Sequence, residues 1–242
     1  MNVNLLAISI GNTRTKLGVF LDGKLVRTLA LTDDQLDTQL RPFVLEAWKE
    51  LTLTKQPAAL IASVNPPLYP KVEEIVSEAL LEDRSAEVLR IEEDVAVAIG
   101  RQLDPEAMVG EDRLLNASAA YNTLQQACVV VDAGTAITVD FIDGSGTFHG
   151  GAIAPGATLM LQSLHEHTGQ LPEISPAMPE EVIGHNTVQA MRTGMYHGLR
   201  GLVRELVEKI CRGGWWLSDG HCHRRRCRSA LQGLRAGRTH RA

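Results

Sequence analysis

No apolar run in this chain approaches the roughly 20 residues that a membrane-spanning helix requires, so a helical membrane protein is excluded. The amino-terminal stretch MNVNLLAISIGNT lacks the basic region and small-residue cleavage site of a secretory leader, so none is expected. Cysteine is scarce. There are four in 242 residues, and Cys211, Cys222 and Cys227 crowd the end, which is too few and too clustered for a disulfide framework. A reducing, cytoplasmic setting is expected instead. The histidines lack metal-ligand spacing: His165 and His167 are two apart and point different ways on a helix, while His149, His185 and His197 stand alone. Structural roles are expected for all five.

What is present describes a globular protein of enzyme size, with 44% hydrophobic residues and 24 basic against 29 acidic side chains. The charge is uneven. Residues 212–242 hold eight arginines, no lysine and a single acid, Asp219, whereas residues 1–211 carry 28 acidic and 16 basic residues. Two compositions join near Cys211.

The first 211 residues contain a repeat. Residues 3–31, VNLLAISIGNTRTKLGVFLDGKLVRTLAL, and residues 128–153, CVVVDAGTAITVDFIDGSGTFHGGAI, both read as strand, glycine-hydroxyl turn, strand, Asp-Gly turn and strand. Gly11 and Gly134 are equivalent, and Asp22-Gly23 matches Asp143-Gly144 within two residues. Strands are predicted over 59–64 and 86–91, and helices over 68–83, 111–125, 157–167 and 187–211. In the last of these Val188, Met191, Met195, Leu199, Leu202, Leu206 and Ile210 recur at helical spacing, and Gly194, Gly198 and Gly201 are expected at a helix–helix or subunit contact. A strand meander followed by helices, twice over, predicts an α/β protein of two similar domains with a cleft between the copies.

A turn of glycine and threonine between two strands exposes backbone N–H groups that can wrap an anion, and the hydroxyl adds a donor. Two such turns at equivalent places suit a polyphosphate held from both sides. Together with SIGNTRTK (9–16), the segments VGEDRLLNA (109–117), VVVDAGTAITVD (129–140), GGAIAPG (150–156) and GHNTVQAMRTG (184–194) resemble, in order and spacing, type III pantothenate kinases of the actin-like, hexokinase and Hsp70 superfamily.

That resemblance implies duplicated ribonuclease H-like (actin-like ATPase) domains, here 1–112 and 113–212, an active site for ATP and pantothenate, and a homodimer with no nucleic-acid or membrane partner. Asp112 becomes the general base for the pantothenate hydroxyl, with Gly110, Glu111, Arg113 and Thr187 binding that substrate. Ser9, Ile10, Gly11, Asn12, Thr13, Arg14, Thr15, Lys16 and Thr135 become ATP contacts. Asp132 becomes the ligand of a monovalent cation, K⁺ or NH₄⁺, and Mg²⁺ accompanies ATP. The residues alone also allow plainer roles: Asp112 and Thr187 as helix caps, Asp132 as a turn aspartate, Arg113 as a solvated arginine. A carboxylate ending the apolar run CVVVD is costly if buried without a partner or cation.

The chain departs from the family pattern in three places. Position 9 is Ser where the pattern has the Asp that holds Mg²⁺, position 103 is Leu where many members have Tyr, and the end is Arg-rich. A non-catalytic regulatory paralogue is the alternative that Ser9 supports; another acid or sugar kinase is disfavoured by GEDR and GHNT. In the tail, HCHRRRC (221–227) fits no common zinc spacing, and its arginines lack the aromatic interleaving or helical phase of a nucleic-acid surface. Back-translation of residues 213–242 with free third codon positions lets the next frame encode TATATGGDAEALFKDYELVERIE, a glycine-turn and amphipathic segment like the family's carboxyl end. A frameshift near residue 212 is therefore expected.

Overall fold

The computed structural model describes residues 3–54, 57–81, 83 and 86–212, and the Arg-rich tail of the sequence reading, 213–242, lies outside the described residues. The chain divides into two compact units, Met1–Ala98 with Ala107–Asn116, and Ile99–Glu106 with the chain from Ala117 onward. The division falls inside one helix.

The first unit is built on strands β1 (Leu5–Ile10), β2 (Thr15–Leu21), β3 (Lys24–Leu31), β4 (Ala58–Ser63) and β5 (Glu87–Arg90). They form one sheet in the order β3-β2-β1-β4-β5, antiparallel from β3 to β1 and parallel from β1 to β5. Alternation sets its faces: Leu6, Ile8 and Ile10 of β1 and Leu17 and Val19 of β2 point into the core. Helices α1 (Arg41–Leu51) and α2 (Tyr69–Leu80) cover that face. Val44, Ala47, Trp48 and Leu51, and Val72, Val76, Ala79 and Leu80, recur every three or four residues and fill one cluster with the strand side chains. Each fully buried Leu or Ile contributes roughly 1.5–3 kcal/mol. Trp48 keeps its polar end satisfied by donating from Nε1 to Asp83, at 3.0 Å.

In the second unit, β6 (Gly100–Arg101), β7 (Cys128–Ala133), β8 (Ala136–Ile142) and β9 (Thr147–Pro155) form a sheet in the order β6-β9-β8-β7. Helices α3 (Glu111–Leu124), α4 (Ala157–Glu166) and α5 (Thr187–Arg212) complete the described chain. On α5, Met191, Met195, Leu199, Val203 and Val207 pack with Leu161 of α4 and Ile137 and Val139 of β8.

The repeat is real at the level of single hydrogen bonds. Gly11 donates its N–H to the Arg14 carbonyl at 3.1 Å, and Gly134 donates to Ala136 at 2.9 Å, each closing its hairpin. Register slips at Val19/Phe20 in one hairpin pair and at Asp140/Ile142 in the other. The second turn differs from expectation. Asp22 and Gly23 both have positive φ, but in the β8–β9 turn of the second copy the positive φ falls on Gly146, not Gly144. Here Asp143 closes a longer loop, accepting from the Ser145 and Thr147 N–H groups at 2.9 Å and meeting His149 Nε2 at 2.8 Å. Burial works against the charged Asp143, yet bonds from His149, Ser145 and Thr147 outweigh it and hold the carboxyl below its usual range.

Among the described residues Gly194, Gly198 and Gly201 lie against no other helix, since a methyl added at any of them meets nothing within 4 Å, which leaves the expected subunit contact open. Thr15, expected to touch ATP, is 0% exposed at the start of β2, and its hydroxyl finds no hydrogen-bond partner among the described residues. A buried hydroxyl without a partner costs about 1–3 kcal/mol. Thr15→Val is expected to raise the unfolding free energy by about 1 kcal/mol without weakening nucleotide binding, read by urea denaturation and an ATP titration. Lower stability with weaker ATP binding would restore the hydroxyl as a ligand.

Candidate active site

In the first unit the turn after β1 presents Asn12, Thr13 and Arg14, all exposed, with Ser9 and Lys16 exposed on the flanking strands. Ile10 and Thr15 face the core instead, so anything they offer an ATP phosphate comes from backbone. Gly11 fits because an added Cβ would stand 3.0 Å from the Arg14 carbonyl oxygen.

The neighbouring strand end ties this turn to the start of α3. Val64 donates its N–H to the Ile10 carbonyl at 3.0 Å, and Asn65 Nδ2 donates to the Gly11 carbonyl at 3.4 Å. The Ser63 N–H donates to Glu111 Oε2 at 2.8 Å. Residues 63–65 therefore bring together the SIGNT turn and the GEDR segment. Sequence reading missed Asn65 in this role, because its only signal there was the turn dipeptide Asn-Pro.

Asp112 stands in the first turn of α3, half-buried, and its Oδ1 accepts from the Arg113 N–H at 2.8 Å. Gly110 lets the carboxylate fold back, since an added Cβ would lie 2.6 Å from Asp112 Oδ1. Burial pushes the Glu111 carboxyl up, partly offset by the bond from Ser63 and the charge of Arg90. Two acids in the first turn also suit the positive end of the helix dipole.

The second unit repeats the glycine-threonine turn with a helix behind it. The Gly156 N–H donates to the Thr135 carbonyl at 2.9 Å, and Gly156 is the N-cap of α4. A Cβ at Gly156 would come within 2.2 Å of the Gly134 carbonyl oxygen, so only glycine permits this approach. Exposed Thr135 thus lies beside the first turn of α4, where unpaired N–H groups and the dipole favour an anion.

Asp132 differs from expectation. It is exposed rather than buried, because the carboxyl end of β7 runs out of the core, so the burial penalty does not apply. Among the described residues no group of three or more His, Cys, Asp or Glu is placed to hold a metal ion. A carboxylate is a hard-oxygen donor, unlike the thiolate and imidazole ligands that favour zinc. Thr187 is exposed and opens α5, but the cap is Asn186, whose Oδ1 accepts from the Gln189 N–H at 2.9 Å. Gly184 packs within 2.3 Å (measured from an added Cβ) of the Ala190 nitrogen and fixes this loop.

Within the first unit, a carboxylate at a helix start can orient a hydroxyl, and in each unit a glycine-threonine turn offers N–H donors that can hold an anion. The family model of type III pantothenate kinase matches residues 5–209. A type III pantothenate kinase of Dehalococcoides mccartyi is 34% identical over 87% of this chain and 81% of its own. Those of Finegoldia magna and Rhodospirillum rubrum are 35% and 36% identical, each over 85% of this chain and about four-fifths of their own. A solved Baf family protein from Campylobacter jejuni is alike in fold, with a TM-score of 0.50 at 23% identity over 83% of this chain and 78% of its own. The fold is thus an α/β one built on two mixed sheets. By the extent of the family match and of these identities, the chain belongs to the type III pantothenate kinase family.

Proposed function

We propose that the chain transfers the γ-phosphoryl group of ATP to the hydroxyl of pantothenate, giving 4′-phosphopantothenate in the first step of coenzyme A synthesis. The observation that carries this reading is Asp112, a carboxylate in the first turn of α3, joined through residues 63–65 to the phosphate-facing turn after β1. Asp112 accepts the hydroxyl proton as the new O–P bond forms and the bond from γ-phosphorus to the bridging oxygen breaks, releasing ADP. Arg113 pairs its guanidinium with the pantothenate carboxylate, and Thr187, relieved of capping by Asn186, donates to the same substrate. The turns at Gly11 and Gly134, with Thr135, hold the phosphates. Asp132 would hold K⁺ or NH₄⁺, which supplies positive charge near the nucleotide. Mg²⁺ reaches the site with ATP, and Ser9 can hydrogen-bond near it but cannot neutralise it.

The exposed glycines of α5 and the exposed Met178, Val182 and Ile183 support a homodimer. No helix among the described residues is long and apolar enough to cross a membrane. The Arg-rich composition after residue 212 supports a frameshifted tail, since CGN codons abound in GC-rich DNA read out of frame. Resequencing the source gene across codon 212 is expected to show a single-nucleotide indel; an intact frame overturns this.

Asp112→Asn is expected to cut pantothenate-dependent ADP release about 10²-fold or more with little change in melting temperature. Lost stability with retained activity would make Asp112 only a structural residue. Ser9→Asp is expected to tighten Mg-ATP binding or raise turnover, because it returns a negative charge beside the metal. No change in either would mean that Ser9 is compensated elsewhere and would remove the argument for a regulatory paralogue.

A further inference from the structure

We propose that Glu111 is a positioning residue whose carboxylate clamps the first turn of α3 to the carboxyl end of β4, fixing Asp112 relative to the turn after β1. The resemblance makes Glu111 a substrate contact, but the structure commits its Oε2 to the Ser63 N–H at 2.8 Å, across 48 residues of sequence. Ser63 is the last residue of β4. Its Oγ accepts from the Asn65 N–H at 3.1 Å, and Val64 and Asn65 in turn reach the Ile10 and Gly11 carbonyls. Three consecutive residues thus touch α3 on one side and the phosphate-facing turn on the other.

The packing leaves little slack. A Cβ at Gly110 would meet both Asp112 Oδ1, at 2.6 Å, and Val64 Cγ1, at 3.5 Å, so the α3 start and the β4 end are already in close approach. A half-buried carboxylate facing one backbone donor serves as an acceptor of fixed reach, and the reach matters more than the charge. Glutamine at 111 preserves that reach and acceptor, whereas aspartate preserves the charge and falls one methylene short. A role in charge gives the opposite ranking.

The inference rests on the kinase reading for its activity readout, while the clamp has a readout of its own. The full chain carrying Glu111→Gln or Glu111→Asp is compared with the parent by steady-state kinetics and by hydrogen exchange at the Ser63 amide. Glu111→Gln is expected to keep Ser63 protected and kcat within about threefold of the parent. Glu111→Asp is expected to speed Ser63 exchange and lower kcat by about tenfold or more, with the KM for pantothenate within about twofold, because a small misplacement of the base acts on the chemical step. Unchanged Ser63 exchange in Glu111→Asp overturns the clamp. A raised KM for pantothenate in both variants at constant kcat makes Glu111 a substrate ligand and overturns it equally. Faster exchange with kcat unchanged leaves a purely structural bond and overturns the positioning role. If the parent itself phosphorylates no pantothenate, the kinase reading fails, and Ser63 exchange alone decides the clamp.

Discussion

Each hairpin turns on one backbone hydrogen bond, from the Gly11 N–H to Arg14 and from the Gly134 N–H to Ala136. That bond draws the chain into a turn so tight that an ordinary side chain at Gly11 would press on the Arg14 carbonyl. Once it is made, the register of both strands follows: Ile10 opposes Thr15 in one copy, and Ala133 opposes Ile137 in the other. Register then decides faces, because a slip of one residue would send Leu6, Ile8 and Ile10 out to solvent. The same constraint leaves Asn12, Thr13 and Thr135 exposed at the turn tips. The fold and the proposed phosphate contacts therefore depend on the same local geometry.

Much of this was legible in the sequence because it is local. Alternating apolar residues located all six strands of the two meanders, and the repeat of Met191, Met195 and Leu199 marked the inner face of α5. The motifs also led to the family. What escaped depends on contacts between distant residues or on small choices among equivalent donors. The Ser63–Glu111 bond spans 48 residues, and no periodicity announces it. Asn186 and Thr187 are both good caps, and only the built loop shows that Asn186 takes the task. Asp132 followed an apolar run and so looked buried, yet the strand end is open. Thr15 looked like one more hydroxyl of a phosphate turn, while strand alternation places it inside.

Phosphoryl transfer asks for little covalent chemistry from a protein and for much positioning. The chain meets this with rigid backbone. Gly156 fixes the Thr135 turn against the start of α4, and Gly110 lets the Asp112 carboxylate fold back over the start of α3. Glycine thus does at three places, Gly11, Gly110 and Gly156, what larger residues would prevent. The departure at Ser9 removes a charge, not a contact surface, and leaves this scaffold unchanged.

The most direct test is to incubate the chain with Mg-ATP, K⁺ and pantothenate and to look for the acceptor product by mass spectrometry, with pantothenate omitted as the control. The account predicts a product heavier than pantothenate by one phosphoryl group, formed mole for mole with ADP and only when pantothenate is present. ADP formed equally with and without pantothenate, or no phosphorylated acceptor from a correctly folded chain, would contradict it.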